Sequence, residues 1–159
     1  MADLSIRRAT PADAEALMIM ANDFDAEDMG AETLRPFTVA NVSRDMIGTD
    51  ATLTTSVAVV GDRLAGFTNH LPAYRFESAE PAIWLESLYV APDFRRAGIA
   101  RALMAAVAAD AIARDVAAIY WGVRMVNDGG KGFYRSIGAQ SEKAEILALF
   151  RDQIAALTS

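Results

Sequence analysis

Residues 85–100 of this chain read LESLYVAPDFRRAGIA, and this stretch decides the fold. It begins as an apolar strand, breaks at Pro92, and passes through a short basic turn into a helix with apolar residues at helical spacing. The free amides and the positive dipole end of a helix N-terminus attract anions, and Arg95 and Arg96 add positive charge beside them. Gly98 has no Cβ, so an anion can approach the backbone closely. The stretch therefore predicts a strand, a phosphate-binding turn and a helix in direct succession.

The turn resembles the acyl-CoA pyrophosphate loop of GNAT-superfamily N-acetyltransferases, whose pattern is Q/R-x-x-G-x-G/A. Arg95, Gly98 and Ala100 occupy its three fixed positions. A string this short also fits an ordinary helix N-terminus with a turn glycine. The apolar strand before it, the periodic helix after it and a second matching segment downstream favour the family interpretation.

The composition restricts the kinds of site that this chain of 159 residues can form. With 53% hydrophobic and 23% charged residues, it is typical of a single globular domain. A net charge of -6 argues against a nucleic-acid surface, and the lack of cysteine excludes disulfides and thiol catalysis. One histidine and no cysteine argue against a zinc site. Because neither a signal peptide nor an apolar run of about 20 residues is present, we expect a cytoplasmic protein without a membrane role.

The order of predicted elements indicates one mixed α/β domain over residues 1–159. The predicted strands are residues 5–8, 53–60, 63–71, 83–90, 116–125 and 145–150. The predicted helices begin at Thr10-Pro11 and cover residues 38–47, 99–114 and 127–137, with a short tail helix at the end. Gly61-Asp62 marks a hairpin turn, and the strands on either side of the long helix form a parallel pair with a right-handed crossover. This is the GNAT layout that the resemblance implies: a mixed, mostly antiparallel sheet with a central parallel pair and helices on both faces.

A second segment, residues 127–139 (NDGGKGFYRSIGA), is similar to the family pattern N-x-x-A-x-x-F-Y-x-x-x-G-A/F. The positions that match are Asn127, Phe133, Tyr134 and Gly138, whereas Gly130 replaces the usual alanine. The resemblance implies that Asn127 binds the CoA chain and that Tyr134 is the general acid that protonates the leaving thiolate. The alternative is that Tyr134 is an amphipathic core residue at a helix end.

Glu86 is the candidate general base, because a carboxylate is unusual inside the apolar strand Ile83–Val90 and indicates a functional role. Burial there is expected to raise its pKa into a range that suits removal of a proton from an amine. The segment Leu85–Val90 looks like that of the spermidine/spermine (diamine) acetyltransferase branch, where a glutamate occupies this place. The alternative is a glutamate at the strand edge that pairs with an arginine such as Arg124.

The resemblance also implies how the donor substrate, acetyl-CoA, binds. The strand ending at Val90 splays from its neighbour at a bulge, its free peptide groups bind the pantetheine arm, and an amide near Leu88 polarises the thioester carbonyl. The donor-binding set that the resemblance implies, without any metal, is Leu88, Tyr89, Val90, Arg95, Arg96, Ala97, Gly98, Ile99, Ala100, Asn127, Gly130 and Tyr134.

We therefore expect acetyl transfer from acetyl-CoA to a primary amine of a small molecule: a diamine, a polyamine or an amino acid. A protein or peptide N-acetyltransferase and a non-catalytic CoA-binding module are the alternatives. An acidic loop predicted after the first helix suits a cationic acceptor or is simply a solvated loop; it holds Asp23, Asp25, Glu27 and Asp28. His70 either contacts the acceptor or is a surface or hydrogen-bonded histidine. The branch resemblance implies a homodimer through C-terminal strands, and the sequence does not identify the acceptor.

Overall fold

The computed structural model describes residues 3–29, 35–142 and 146–157. Within these residues the sheet has five strands in chain order, of which the first four are antiparallel and the last is parallel to the fourth. The strands are β1 (Leu4–Arg8), β2 (Thr54–Val60), β3 (Arg63–Arg75), β4 (Glu80–Val90) and β5 (Ala118–Tyr120). The helices are α1 (Ala14–Met29), α2 (Val39–Met46), α3 (Ile99–Ala113), α4 (Asp128–Ser136) and α5 (Arg151–Ala156). The predicted mixed sheet with its parallel pair is confirmed.

Helices cover both faces of the sheet. On one face Val57 of β2 packs with Leu17 of α1 and Val42 of α2. The next residue, Ala58, packs instead in the cluster that contains Leu103 of α3. Because successive residues of a strand point to opposite faces, α1 and α2 lie on one face and α3 on the other.

The chain enters α1 through a single 3-10 turn, Pro11–Asp13. Asp13 is only 4% exposed, and its carboxylate accepts hydrogen bonds from the Thr10 amide at 2.7 Å and from two Arg7 nitrogens at 2.7 and 2.8 Å. The hydrogen bonds from Arg7 lower the pKa of Asp13 to about 2, against the opposing effect of burial. This ion pair fixes the start of α1 to β1, where the sequence places a helix start.

The predicted acidic loop after α1 is wrong, because α1 continues to Met29. Phe24 packs against the cluster that also holds Leu17 and Ala21, so the helical spacing of apolar residues extends beyond Asn22. The sequence between Asn22 and Met29 also contains no glycine or proline that would end a helix. The acidic residues therefore lie on the last two turns of α1.

Two predicted strands also differ from the structure. β5 covers three residues instead of 116–125, because its ladder with β4 stops at the pair Trp84–Tyr120, two residues before β4 bulges at Glu86. Of the predicted strand 145–150, Glu145 lies outside the described residues, and residues 146–150 belong to no described strand. The described residues therefore do not include the edge strand through which a homodimer was predicted, and the homodimer stays a prediction.

The chain divides into two compact units, Met1–Arg124 and Met125–Ser159. The first contains the described sheet with α1, α2 and α3, and the second contains α4 and α5. One domain over residues 1–159 stays a prediction, and so does the cytoplasmic location. Among the described residues, every helix is too short or too polar to cross a membrane.

Candidate functional site

The segment between β4 and α3 forms the turn that the sequence predicts. Arg96 and Gly98 have left-handed backbone conformations, with φ of 67° and 81°, and Gly98 is the N-cap of α3. Glycine adopts this conformation without steric cost, whereas at Arg96 it costs about 1 kcal/mol or more. The N–H groups of the first turn of a helix have no intrahelical acceptor, so they can bind an anion that reaches the backbone at Gly98.

The predicted donor-binding residues of this turn divide into two groups. Arg96, Ala97 and Gly98 are exposed to solvent, where a ligand can reach them. Ile99 is buried in the cluster with Leu103, and this contact anchors the first turn of α3 to the sheet. The turn therefore has exposed residues that a ligand can reach, followed by a buried residue that holds the start of α3 in place.

Arg95 is connected to two elements besides its own turn. Its Nε donates to the Val90 carbonyl oxygen at 2.8 Å, and one terminal nitrogen donates to both Glu27 oxygens at 2.9 and 2.7 Å. Its guanidinium carbon lies 5.7 Å from the centre of the Tyr89 ring, a cation–π distance. The pair with Glu27 of α1 has no signal in the sequence, because the two residues are 68 positions apart.

Tyr89 contacts both Arg95 and Glu27 from the core of the protein. Its ring packs against Phe24 and Phe67, and its hydroxyl donates to Glu27 at 3.3 Å. Burial, followed by the negative charges of Glu27 and Asp23, raises the pKa of Tyr89 to about 12. Tyr89 therefore stays protonated at neutral pH and serves as a hydrogen-bond donor to Glu27.

The end of α1 carries several carboxylates close to the turn. Arg95 pairs with Glu27 at 2.7 Å, and Arg124 pairs with Asp28 at 3.5 Å. Negative charge is unfavourable at a helix C-terminus, and these two arginines offset part of that cost. The sequence offers Arg124 as a structural partner for Glu86, and in the structure Arg124 forms an ion pair with Asp28.

Glu86 is exposed, so the expected burial of its carboxylate is wrong. In the ladder between β3 and β4, Asn69 pairs with Ser87 and His70 pairs with Leu85, which leaves Glu86 as the extra residue of a β-bulge. The Trp84 indole N–H donates to Glu86 Oε2 at 2.8 Å and orients the carboxylate. A bulge re-aims a side chain, which here places a carboxylate at the surface of an otherwise well-packed strand.

The bulge also marks the point where the two parallel strands separate. Within the described residues, the β4–β5 ladder contains three residue pairs and ends at Trp84. Beyond that point β4 continues as Leu85–Val90 without a β5 partner. The predicted splayed edge is present, and it leads directly into the turn at Arg95.

Gly66 is a residue that the sequence analysis missed. A Cβ added there would lie 2.5 Å from the Tyr89 carbonyl oxygen and 3.2 Å from Val90 Cα. Only glycine therefore lets β3 pack this closely against the last residues of β4. A lone glycine inside a strand pattern was the available signal, since it often marks a close backbone approach.

His70 is a core residue and not a surface group. It is 1% exposed, and its Nε2 lies 2.8 Å from Asp110 Oδ2 on α3. Because a carboxylate only accepts, Nε2 carries the hydrogen. Burial lowers the pKa of His70, against the opposing effect of Asp110. Among the described residues its Nδ1 has no hydrogen-bond partner. Arg8 and Arg114 also form ion pairs with Asp110. Through its bond to Asp110, His70 connects β3 to α3.

The second unit contains the other predicted donor-binding residues. Asn127 is the N-cap of α4, and its Oδ1 accepts a hydrogen bond from the Gly130 amide at 2.8 Å. A Cβ at position 130 would lie 2.8 Å from Asn127 Nδ2, so the glycine makes room for this cap. Gly138, with φ of 92°, ends the helix as the sequence predicts.

Tyr134 lies on α4 with its ring centre 5.3 Å from that of Phe133. Burial raises its pKa to about 12. The phenol therefore keeps its proton at neutral pH, which is the state that a proton donor requires. Among the described residues, no group of three or more acidic or histidine side chains could hold a metal ion.

Comparison with known proteins bears on the family and the fold of this chain. The sequence model of a family described as "Acetyltransferase (GNAT) family" matches residues 20–139. No protein of the curated set matches. An integron cassette protein from V. cholerae superposes with a TM-score of 0.83 at 21% identity, over 99% of this chain and 98% of the other.

Two further solved structures have a stated activity. A ribosomal-protein-alanine N-acetyltransferase from Brucella melitensis superposes with a TM-score of 0.76 at 21% identity, over 93% of this chain and 100% of the other. An aminoglycoside acetyltransferase from an uncultured soil sample, in complex with trehalose, superposes with a TM-score of 0.74 at 17% identity, over 92% and 95%. At these identities the structures share the fold with this chain.

Proposed function

This chain belongs to the GNAT family of acetyltransferases, and from that premise we propose that it transfers an acetyl group from acetyl-CoA to a primary amine of a small molecule. The observation that carries the proposal is the left-handed turn at Gly98, which opens α3 directly after the unpaired edge of β4. An anion site and a free strand edge in succession suit a ligand that has phosphates at one end and amides along its arm.

The proposed donor site uses both of these features. The amides of residues 97–100 take the pyrophosphate, with Arg96 exposed beside them. The peptide groups of Leu88–Val90 pair with the pantetheine arm, and an amide near Leu88 polarises the thioester carbonyl. Asn127, Gly130 and Tyr134 are proposed as further donor contacts on the family resemblance alone.

The proposed chemistry is direct attack of a neutral amine on the thioester carbonyl. Glu86, through a water molecule, accepts the proton that the ammonium group must lose. A C–N bond forms, the C–S bond breaks, and the electron pair leaves with sulfur as a thiolate. As the amide forms, the attacking nitrogen loses its second proton to solvent water, and solvent returns a proton to Tyr134 after its donation. Tyr134 then gives its proton to that thiolate, a role that its protonated state at neutral pH allows. The exposure of Glu86 supports exchange of the proton with solvent.

For the acceptor we propose a cationic small amine, such as a diamine, a polyamine or an amino acid. The acidic end of α1, with Asp23, Asp25, Glu27 and Asp28, supports this choice because carboxylates attract a cationic acceptor. Structural neighbours act on aminoglycosides and, by name, on a ribosomal protein alanine, so peptide amines are the second class to test.

The test is release of free CoA from acetyl-CoA across a panel of spermidine, putrescine, lysine, an aminoglycoside and a short peptide. We expect stimulation by a cationic small amine, and at least about a tenfold loss of turnover in Tyr134→Phe with CoA affinity nearly unchanged. Glu86→Gln should lower turnover, because an amide side chain cannot accept the proton. Full turnover in Tyr134→Phe would remove the general-acid role, and tight CoA binding without stimulation by any amine would favour a non-catalytic module.

A further inference from the structure

Glu27 forms an ion pair with the guanidinium group of Arg95, which a phosphate bound at the turn would also contact. One terminal nitrogen of Arg95 donates to both Glu27 oxygens, at 2.9 and 2.7 Å. Carboxylates and phosphates both bind guanidinium groups through charge-assisted hydrogen bonds. In this structure the carboxylate comes from the chain itself, 68 positions away on α1.

The contacts of Arg95 separate two roles that Glu27 could have. If Glu27 held the turn in place, its loss would release Arg95. However, the Arg95 Nε is bonded to the Val90 carbonyl oxygen at 2.8 Å, and the guanidinium lies over the Tyr89 ring. These two contacts fix the arginine beside the turn without Glu27, so the carboxylate mainly neutralises it.

The pair is also open to exchange. The side chains of Arg95 and Glu27 are 43% and 47% exposed, so an incoming anion can reach the guanidinium. Exposed ion pairs are weak because water screens them, and the dipole of α1 disfavours a negative charge at its C-terminal end. A phosphate group with a larger charge can therefore take the place of Glu27 on Arg95.

We propose that Glu27 is a built-in competitor of the donor phosphates, which lowers the affinity of the turn for CoA by neutralising Arg95. This inference depends on the proposed function, because it requires that the turn at residues 95–98 binds phosphate. Glu27 acts through Arg95, whose positive charge it neutralises. Removal of the Glu27 carboxylate should therefore strengthen donor binding.

The test is the CoA dissociation constant, measured by titration calorimetry for the full chain. Glu27→Gln keeps the size of an exposed side chain and should bind CoA about two- to fivefold more tightly than wild type at about 0.01 M salt. The gain should disappear at about 1 M salt, where the Debye length is about 3 Å. Glu15→Gln, an exposed position in the first turn of α1, is the matched control and should not change the affinity.

Arg95→Ala supplies the second arm of the experiment. In that background Glu27→Gln should have no effect on CoA affinity, because the group for which it competes is gone. Equal or weaker CoA binding by Glu27→Gln, or the same gain without Arg95, would overturn the inference. Failure of the wild-type protein to bind CoA would instead overturn the proposed function and this inference with it.

Discussion

Replacement of Gly66 by alanine should destabilise the sheet where β3 lies against the C-terminal end of β4. The added Cβ would be 2.5 Å from the Tyr89 carbonyl oxygen, 3.2 Å from Val90 Cα and 3.3 Å from a Leu103 methyl group. Ordinary van der Waals contact begins at 3.4 Å. The first two atoms belong to the backbone, so the clash cannot be relieved by rotation of a side chain alone.

The size of the effect follows from two opposing contributions. Overpacking of a well-packed interior costs typically about 1–3 kcal/mol. Loss of the unfolded-state freedom of glycine returns at most about 1 kcal/mol. Since the peptide at Tyr89 must shift within a β-ladder, we expect a net loss of about 2 kcal/mol in the free energy of unfolding. The same shift moves the strand edge proposed to bind the pantetheine arm, so CoA affinity should fall as well.

Urea unfolding measures the first effect, and the midpoint should move down by about 1 M if the slope is about 2 kcal/mol/M. Gly132→Ala in α4 is the control, because nothing lies within 4 Å of its added Cβ. In a helix this change favours folding by up to about 1 kcal/mol and should not lower the midpoint. A Gly66→Ala protein with an unchanged or higher midpoint would refute the close approach of β3 and β4.

Two other substitutions test the start of α1 and the start of α4. The pKa of Asp13 is lowered from 3.8 to about 2, so its charge stabilises the fold by about 2 kcal/mol above about pH 4, and this is lost as the pH falls through about 2. Asp13→Asn should therefore be less stable than wild type at pH 7 and approach it near pH 2 in urea unfolding; parallel curves would contradict this ion pair. Gly130→Ala should change stability by less than about 0.5 kcal/mol, because better helix propensity is offset by the displaced Asn127 cap. A clear gain in its thermal midpoint would show that the cap contributes little.

The sequence predicted the parts of the fold that depend on neighbouring residues. Gly61-Asp62 joins β2 to β3, α2 covers residues 39–46 of the predicted 38–47, and Gly98 directly precedes α3 in the structure as in the prediction. These features depend on backbone conformation and on hydrogen bonds within a few residues, which amino-acid type alone controls. The family resemblance and the order of elements rest on the same local signals.

The sequence-based prediction placed the end of α1 too early, because the residues near that end are acidic. The cluster of carboxylates suggested a solvated loop, but Phe24 continues the apolar stripe of the helix into the core. Packing of that stripe against the sheet outweighs the cost of negative charge at the helix end. The acidic residues therefore lie on the helix and not on a loop, and their role toward an acceptor stays a prediction.

The candidate site itself was decided by tertiary structure. Glu86 is exposed because the register between β3 and β4 makes it a bulge, and a register depends on two strands together. Arg95 meets Glu27 only because α1 packs over the end of β4, and Gly66 matters only because Tyr89 lies beside it. The sequence by itself determined most of the elements, the turn at residues 95–98 and the family, because each has a signal within a short segment. The charge around that turn and the direction of the Glu86 carboxylate required the fold, because they arise between different strands and helices.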